Sequence, residues 1–310
     1  MPMVPNDAVA PGLATGRMLP SIWRGDFASA TEWTAAQAEY AVLGQAADAV
    51  DDRLIVSRHP FAIHGWCDVC RAARPMTITW RSFFHRKESA SIELAGTEVA
   101  HCHGCHLFSR VRAVFSLLDR IGLAADACVY AAERVTSTFR KLTERYPACV
   151  GSEYLGADAA PGEMRLWGER ALPIRHEDLT RLSFADACFD AVVTLDVFEH
   201  VPDYRSAFRE CRRVLRSGGH LVFTVPFFPE LAGTEVRAAI GPDGGVRHLL
   251  PPEIHGNPVA SGGALCFQHF GWDMLDVLRE TGFASAVARL YWGPWQGHIG
   301  LPAFVFHAVA

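Results

Sequence analysis

Between Thr31 and about Val50 the apolar positions Trp33, Ala36, Tyr40 and Leu43 recur every three or four residues in an Ala-rich stretch, the spacing of one amphipathic helix. The same period returns after Ser109, which reads as an N-cap. Val111, Val114, Phe115, Leu118 and Ile121 share one face there, and Gly122 supplies the stop. Between these helices, PMTITW and ASIEL are short strand-like runs, so residues 61–108 read as a small hairpin module.

Further along, runs that are apolar throughout alternate with helical periods. The strand-like runs are ACVYAA (127–132), ACVGSEYL (148–155), DAVVTLDVF (190–198) and HLVFTVPFF (220–228). TFRKLTERY (138–146) and a helix from Asp203 lie between them. Asp203 is the expected N-cap, with Tyr204, Ala207, Phe208, Cys211, Val214 and Leu215 as the buried face and Gly218-Gly219 as the stop. Strands without alternation, separated by helices, mean a parallel sheet covered on both faces, and the fold class is α/β. A last helix in GWDMLDVLRETGF (271–283) precedes ASAVARLYW and LPAFVFHAV, two consecutive strands that predict an antiparallel pair at one sheet edge.

Composition narrows the class. Of 310 residues, 50% are hydrophobic and 20% charged, which supports a packed core and excludes a disordered chain. The net charge of −5, with no basic block, argues against a bulk nucleic-acid binder. Four prolines in the first twenty residues (Pro2, Pro5, Pro11, Pro20) predict a flexible tail over 1–30, ahead of a helical segment at 31–60. No apolar run reaches the ~20 residues that span a bilayer. Nine cysteines spread through so long a chain do not make a disulfide scaffold, so a reduced, cytoplasmic setting is expected.

Four of those cysteines are clustered. Cys67 and Cys70, then Cys102 and Cys105, form two CxxC pairs, each able to hold one side of a tetrahedral ion, and thiolate sulfur suits zinc. The 31-residue gap between the pairs accommodates a hairpin and a loop. His101, His103 and His106 flank the second pair as alternative ligands. A closed four-cysteine set leaves no open position, so the expected role is a structural Zn2+ that staples a module too small to stand on core burial. Cys128, Cys149, Cys188, Cys211 and Cys266 are expected in the core.

Residues 174–228 resemble the class I S-adenosylmethionine-dependent methyltransferases of the type 11 group. The resemblance is carried by Asp178-Leu179, by the LSFAD..FD text from Leu182 to Asp190, by DVFEHV.D from Asp196 to Asp203, and by RVLR.GG.L.F from Arg213 to Phe223. It implies a Rossmann-like seven-stranded sheet with an antiparallel closing strand over 109–310, and S-adenosyl-L-methionine as cofactor. By the same resemblance Glu153 would hold the ribose hydroxyls and Asp178 the adenine amino group. Leu179 would pack on the ring, and Asp196 would end the fourth strand beside the binding segment. Glu199 and His200 follow where an acceptor approaches, and His200 is the candidate catalytic base because imidazole titrates near neutrality.

The family's Gly-rich first turn is missing: VYAAERVTSTF (129–139) stands in its place, with no glycine between Gly122 and Gly151. Either the loop binds the cofactor differently, with Glu133 on its amine, or the fold is degenerate. Paired CxxC motifs ahead of such a domain resemble a bacterial subgroup that also carries a P.E.HG.P element in an insertion, here about 229–268. That element makes Glu253 and His255 acceptor-site candidates. Two functions remain: methyl transfer to a small-molecule or saccharide-type acceptor, or a non-catalytic zinc-containing binding or scaffold protein. A nicotinamide-dependent oxidoreductase would need a GxGxxG turn that the chain lacks.

Overall fold

The structure is a computed structural model that describes residues 20–54, 60–78, 83–85, 92–94, 98–169 and 171–310. In chain order the first elements are β1 (Trp23–Phe27), α1 (Ala30–Leu54), β2 (Phe61–Cys67), β3 (Ala72–Ile78), β4 (Phe83–His85), β5 (Ile92–Leu94), β6 (His101–Cys102) and α2 (Ser109–Ile121). There follow β7 (Val129–Ala131), α3 (Ser137–Arg145), β8 (Val150–Gly151), β9 (Met164–Trp167), β10 (Leu172–Arg175), β11 (Phe189–Leu195), α4 (Tyr204–Val214) and β12 (Leu215–Thr224). The insertion contributes β13 (Glu235–Val236), β14 (Ala238–Ile240), β15 (Val246–His248), β16 (Ile254–His255), β17 (Ala264–Leu265) and β18 (Gln268–His269). The chain closes with α5 (Asp273–Glu280), β19 (Ser285–Gly293) and β20 (His298–Val309).

A seven-stranded sheet runs in the order β1-β19-β20-β12-β11-β7-β8. Strands β7, β8, β11 and β12 are mutually parallel, and β20 runs antiparallel against β12, with Leu221 opposite Ala308 and Phe223 opposite Phe306. The expected closing strand is therefore present. The expected tail ends earlier than residue 30, because Trp23–Phe27 forms the edge strand next to β19, while residues 1–19 lie outside the described residues.

The chain divides into two units, one of residues up to Phe27 with Thr31–Gly122 and Arg289–Val305, the other of Ala28–Ala30, Leu123–Ala288 and Phe306–Ala310. The expected boundary at 108 is displaced, because α2 belongs to the first unit. Its Arg112 is fully buried and donates to the carbonyls of Gln296 (2.5 Å), Gly297 (3.1 Å) and Ala100 (3.2 Å). Ser109 does not cap α2. Phe108 holds that position, and the Ser109 hydroxyl pairs with His298 Nδ1 at 2.8 Å. In the same unit Trp33 and Tyr40 of α1 pack edge-on against Phe27, but the predicted face of Trp33, Ala36, Tyr40 and Leu43 is only half-buried, and the buried residues of the helix are Ala47, Asp51 and Leu54.

In the second unit α4 begins as predicted, with Asp203 accepting from the Ser206 N–H at 3.0 Å and Ala207, Phe208, Cys211 and Val214 buried. Its predicted glycine stop does not end it. The helix stops at Val214, and Gly218, with φ of 76°, sits inside the opening of β12. Of the five cysteines expected in the core, Cys211 and Cys266 are buried and Cys128, Cys149 and Cys188 are half-buried.

Candidate functional site

The cysteine quartet belongs to the first unit. Antiparallel β2 and β3 place Cys67 at a strand end and Cys70 in the turn, and β6 adds Cys102 to the third strand with Cys105 in the turn beyond. The four Sγ atoms lie within 4.8 Å of one another, with Cys67 to Cys105 at 3.7 Å and Cys70 to Cys102 at 3.9 Å. A tetrahedron of sulfurs ~2.3 Å from zinc has edges of about 3.8 Å. Main-chain N–H groups of Cys70 and Gly104 point to Cys67 and Cys102 sulfur at 3.4 Å.

The residue after each pair, Arg71 (φ 50°) and His106 (φ 61°), is left-handed, which closes each CxxC turn. A Cβ on Gly104 would lie 2.7 Å from the Cys70 sulfur, so only glycine allows that approach. None of the three flanking histidines joins the four sulfurs in one cluster; His103 Nε2 pairs with the Thr77 hydroxyl at 2.5 Å, and His101 rests on the Phe108 ring.

In the second unit, ligands of a parallel sheet bind beyond the carboxyl ends of its strands where the order reverses, here between β7 and β11. Glu153, just past β8, is buried. Its Oε1 accepts from the N–H groups of Arg134 (2.7 Å) and Val135 (3.1 Å), the loop that stands where the Gly-rich turn would be. Burial raises the pKa of this carboxyl, and those two N–H groups work against the rise. The glycine-free loop meets a glycine on the strand. A Cβ on Gly151 would sit 2.3 Å from Phe139 Cε2 and 2.6 Å from the Glu133 carbonyl, so loop and helix close onto β8 through that glycine.

Glu133 accepts a hydrogen bond from Thr136, whose hydroxyl also caps α3 by accepting from the Phe139 N–H at 3.1 Å. Asp178 folds into its own turn, with Oδ1 accepting from the Thr180 N–H (2.8 Å) and hydroxyl (2.7 Å), and Leu179 beside it is buried. A parallel bridge from Glu153 to His176 brings this turn to the strand ends. Asp196 ends β11 in a left-handed conformation (φ 51°) and accepts from the Thr224 hydroxyl at 2.7 Å.

The acceptor-side candidates converge. Phe198–His200 form a short 3-10 turn after β11, and the insertion folds onto it as three small antiparallel ladders, β13 with β18, β14 with β15, and β16 with β17. Gln268 fastens the two by donating to the carbonyls of Phe198 (2.6 Å) and Val201 (3.0 Å), and the Phe267 N–H donates to the Glu199 carbonyl at 2.7 Å.

The Glu199 side chain is fully buried, and burial pushes its carboxyl up to about 7. His200 Nε2 and His255 Nδ1 each lie 3.6 Å from its Oε1. The Glu199 carboxylate, followed by Glu253, raises His255 to about 9, whereas burial lowers His200. Glu253 receives His255 Nε2 at 2.9 Å and His269 Nε2 at 3.0 Å, with Arg237 at 3.3 Å. Partial burial opposes its charge, but His255, His269 and Arg237 prevail and hold the carboxyl below its ordinary value. His269 and Arg237 were missed in the sequence, and no local spacing points to them.

The family description "Methyltransferase domain" matches residues 137–223. A demethylmenaquinone methyltransferase of Deinococcus radiodurans is 32% identical over 225 residues, covering 60% of this chain and 87% of that protein. A ubiquinone biosynthesis O-methyltransferase of Alkalilimnicola ehrlichii is 33% identical over 81 residues, 24% of this chain and 33% of that protein. Several such relatives are thus matched over about a third of their length. The crystal structure of a S-adenosylmethionine-dependent methyltransferase from Mesorhizobium loti superposes with a TM-score of 0.37 at 15% identity, covering 64% of this chain and 96% of that one.

The chain belongs to the class I S-adenosylmethionine-dependent methyltransferases. Among the described residues no helix is long and apolar enough to cross a membrane.

Proposed function

We propose that this protein transfers the methyl group of S-adenosylmethionine to a small-molecule acceptor. The observation that carries the reading is the state of the carboxylates at the strand ends. Glu153 and Asp178 each commit one oxygen to a neighbouring turn, and the other oxygen of each makes no hydrogen bond among the described residues. Those second oxygens, Glu153 Oε2 and Asp178 Oδ2, suit the hydroxyl and amino donors of a nucleoside, with Leu179 for the ring. Glu133 and Asp196 complete the cofactor side, and Gly151 lets the glycine-free loop keep its approach to the sheet.

The bound cofactor supplies an electrophilic methyl group, and what remains for the chain is proximity and orientation. Glu199, His200, Glu253 and His255 line the acceptor side. His200 fits a general base: its Nδ1 meets the Leu265 carbonyl at 2.8 Å and so carries the proton, leaving Nε2 to accept one from an acceptor hydroxyl or carbon acid. Relatives named for ubiquinone and demethylmenaquinone favour a quinone-like small molecule over a saccharide.

In the first unit the quartet holds a structural zinc, which the sulfur spacing supports. Calorimetric titration of the full chain with S-adenosylhomocysteine tests the cofactor reading. Binding that weakens in Glu153→Gln is expected. No heat and no thermal shift at millimolar ligand would leave the scaffold function standing instead.

A further inference from the structure

We propose that Glu199, His200 and His255 hold a divalent transition-metal ion of the zinc type, an ion additional to that of the cysteine quartet. The Glu199 carboxylate is fully buried, and neither of its oxygens has a hydrogen-bond partner among the described residues. A buried carboxylate left this way is costly, and native folds seldom keep one without a ligand for it. Two imidazole nitrogens stand 3.6 Å from the same oxygen, and the three donor atoms lie within 4.8 Å of one another. An ion at ~2.0–2.2 Å from nitrogen and oxygen donors spans such gaps.

Both rings are also oriented as ligands. His200 Nδ1 is 2.8 Å from the Leu265 carbonyl, which can only accept, so Nδ1 carries the proton and the lone pair lies on Nε2. His255 Nε2 is 2.9 Å from Glu253, which leaves Nδ1 to face Glu199. Anchoring the far ring nitrogen on a carbonyl or a carboxylate is how metal-bound histidines are held. Glu253 is in turn fixed by His269 and Arg237. A proton does not serve equally well, since a protonated His255 satisfies Glu253 at 2.9 Å but stays outside hydrogen-bond reach of Glu199.

The neighbouring Cys266 donates its S–H to the Gln268 carbonyl at 3.3 Å and is not part of the set. Two imidazoles and one carboxylate select zinc, iron(II) or manganese over magnesium or calcium. Three protein donors leave a position open, as catalytic ions require and structural ones do not. The proposal concerns binding and stands apart from methyl transfer. Where both hold, His200 is a ligand and not the base, because Nε2 cannot serve twice.

The test counts zinc on the full chain with all cysteines intact, as metal retained after dialysis plus metal taken up in titration with zinc chloride. Wild type is compared with His255→Ala and with Glu199→Gln, which is isosteric and keeps the fold if the alanine variant does not. Each variant is expected to hold one equivalent fewer than wild type. In cobalt-loaded samples, ligand-field absorption from a nitrogen and oxygen site is expected in wild type and absent in the variants. Equal metal content in wild type and Glu199→Gln overturns the proposal. S-adenosylhomocysteine binding measured on the same samples separates this outcome from failure of the methyltransferase reading.

Discussion

The cysteine quartet and the Glu199 cluster gather donor atoms at similar spacing, 3.7 and 3.9 Å between sulfurs against 3.6 Å between carboxylate and imidazoles. They differ in how they are built. The quartet comes from two CxxC turns, each closed locally by a left-handed residue and by N–H groups on sulfur. The cluster joins a turn after β11 to a hairpin of the insertion, and its central carboxylate is buried without hydrogen bonds to the described residues. A donor set of the first kind stabilises its unit. One of the second kind strains its unit in exchange for chemistry, the pattern expected of functional sites.

The sharpest way to break this contrast is to remove one donor from each. Cys105→Ser is expected to remove the quartet's ion and with it soluble expression of the first unit's fold, since structural zinc contributes on the order of 10 kcal/mol or more. An unchanged melting temperature with zinc lost would show the quartet to be dispensable. Glu199→Gln should do the opposite to stability: kcat/KM falls about 100-fold, or ~2.7 kcal/mol, while the melting temperature, compared on samples stripped of any ion at Glu199, holds or rises because a buried charge is gone. A fall in both would make Glu199 structural.

A smaller effect tests the close approach at Gly151 on β8. Gly151→Ala should cost ~1–3 kcal/mol from overpacking, and trimming the ring in Gly151→Ala/Phe139→Leu should recover part of it in chemical denaturation.

The smallest effect is a pH slope in the quartet's unit. His298 is fully buried and its pKa lies well below 6.5, chiefly from burial, so the fold keeps it neutral. Its contribution is complete above pH 6.5 and is lost as pH falls below it, because the unfolded chain then takes up a proton that the folded chain refuses. The slope is at most ~1.4 kcal/mol per pH unit. Thermal melts between pH 7.5 and 5.5 should therefore converge for wild type and His298→Asn as the pH falls, and parallel curves would refute the assignment.

Much of the frame could be read from local text. The all-apolar runs became β7, β11 and β12, Asp203 capped α4, and the terminal strands paired antiparallel. The family residues at 153, 178 and 196 did come to strand ends and the turns that follow them. Their hydrogen bonds were not legible: Glu153 holds a loop eighteen or nineteen residues earlier, and Asp178 spends an oxygen on its own turn. Nor was Arg112, which lies on a predicted apolar helix and is buried among the carbonyls of residues far along the chain.

By itself the sequence determined the α/β class, the run of strands and helices around β7, β11, α4 and β12, and the four-cysteine site, because hydrophobic period and CxxC spacing are properties of a few consecutive residues. Tertiary structure alone decided that Trp23–Phe27 is an edge strand, that Phe139 and the Glu133 carbonyl close onto β8 at Gly151, and that Glu199 meets His255. Such pairings depend on long-range closure and on the burial it brings. A carboxylate and an imidazole become a site only where that closure removes them from water together.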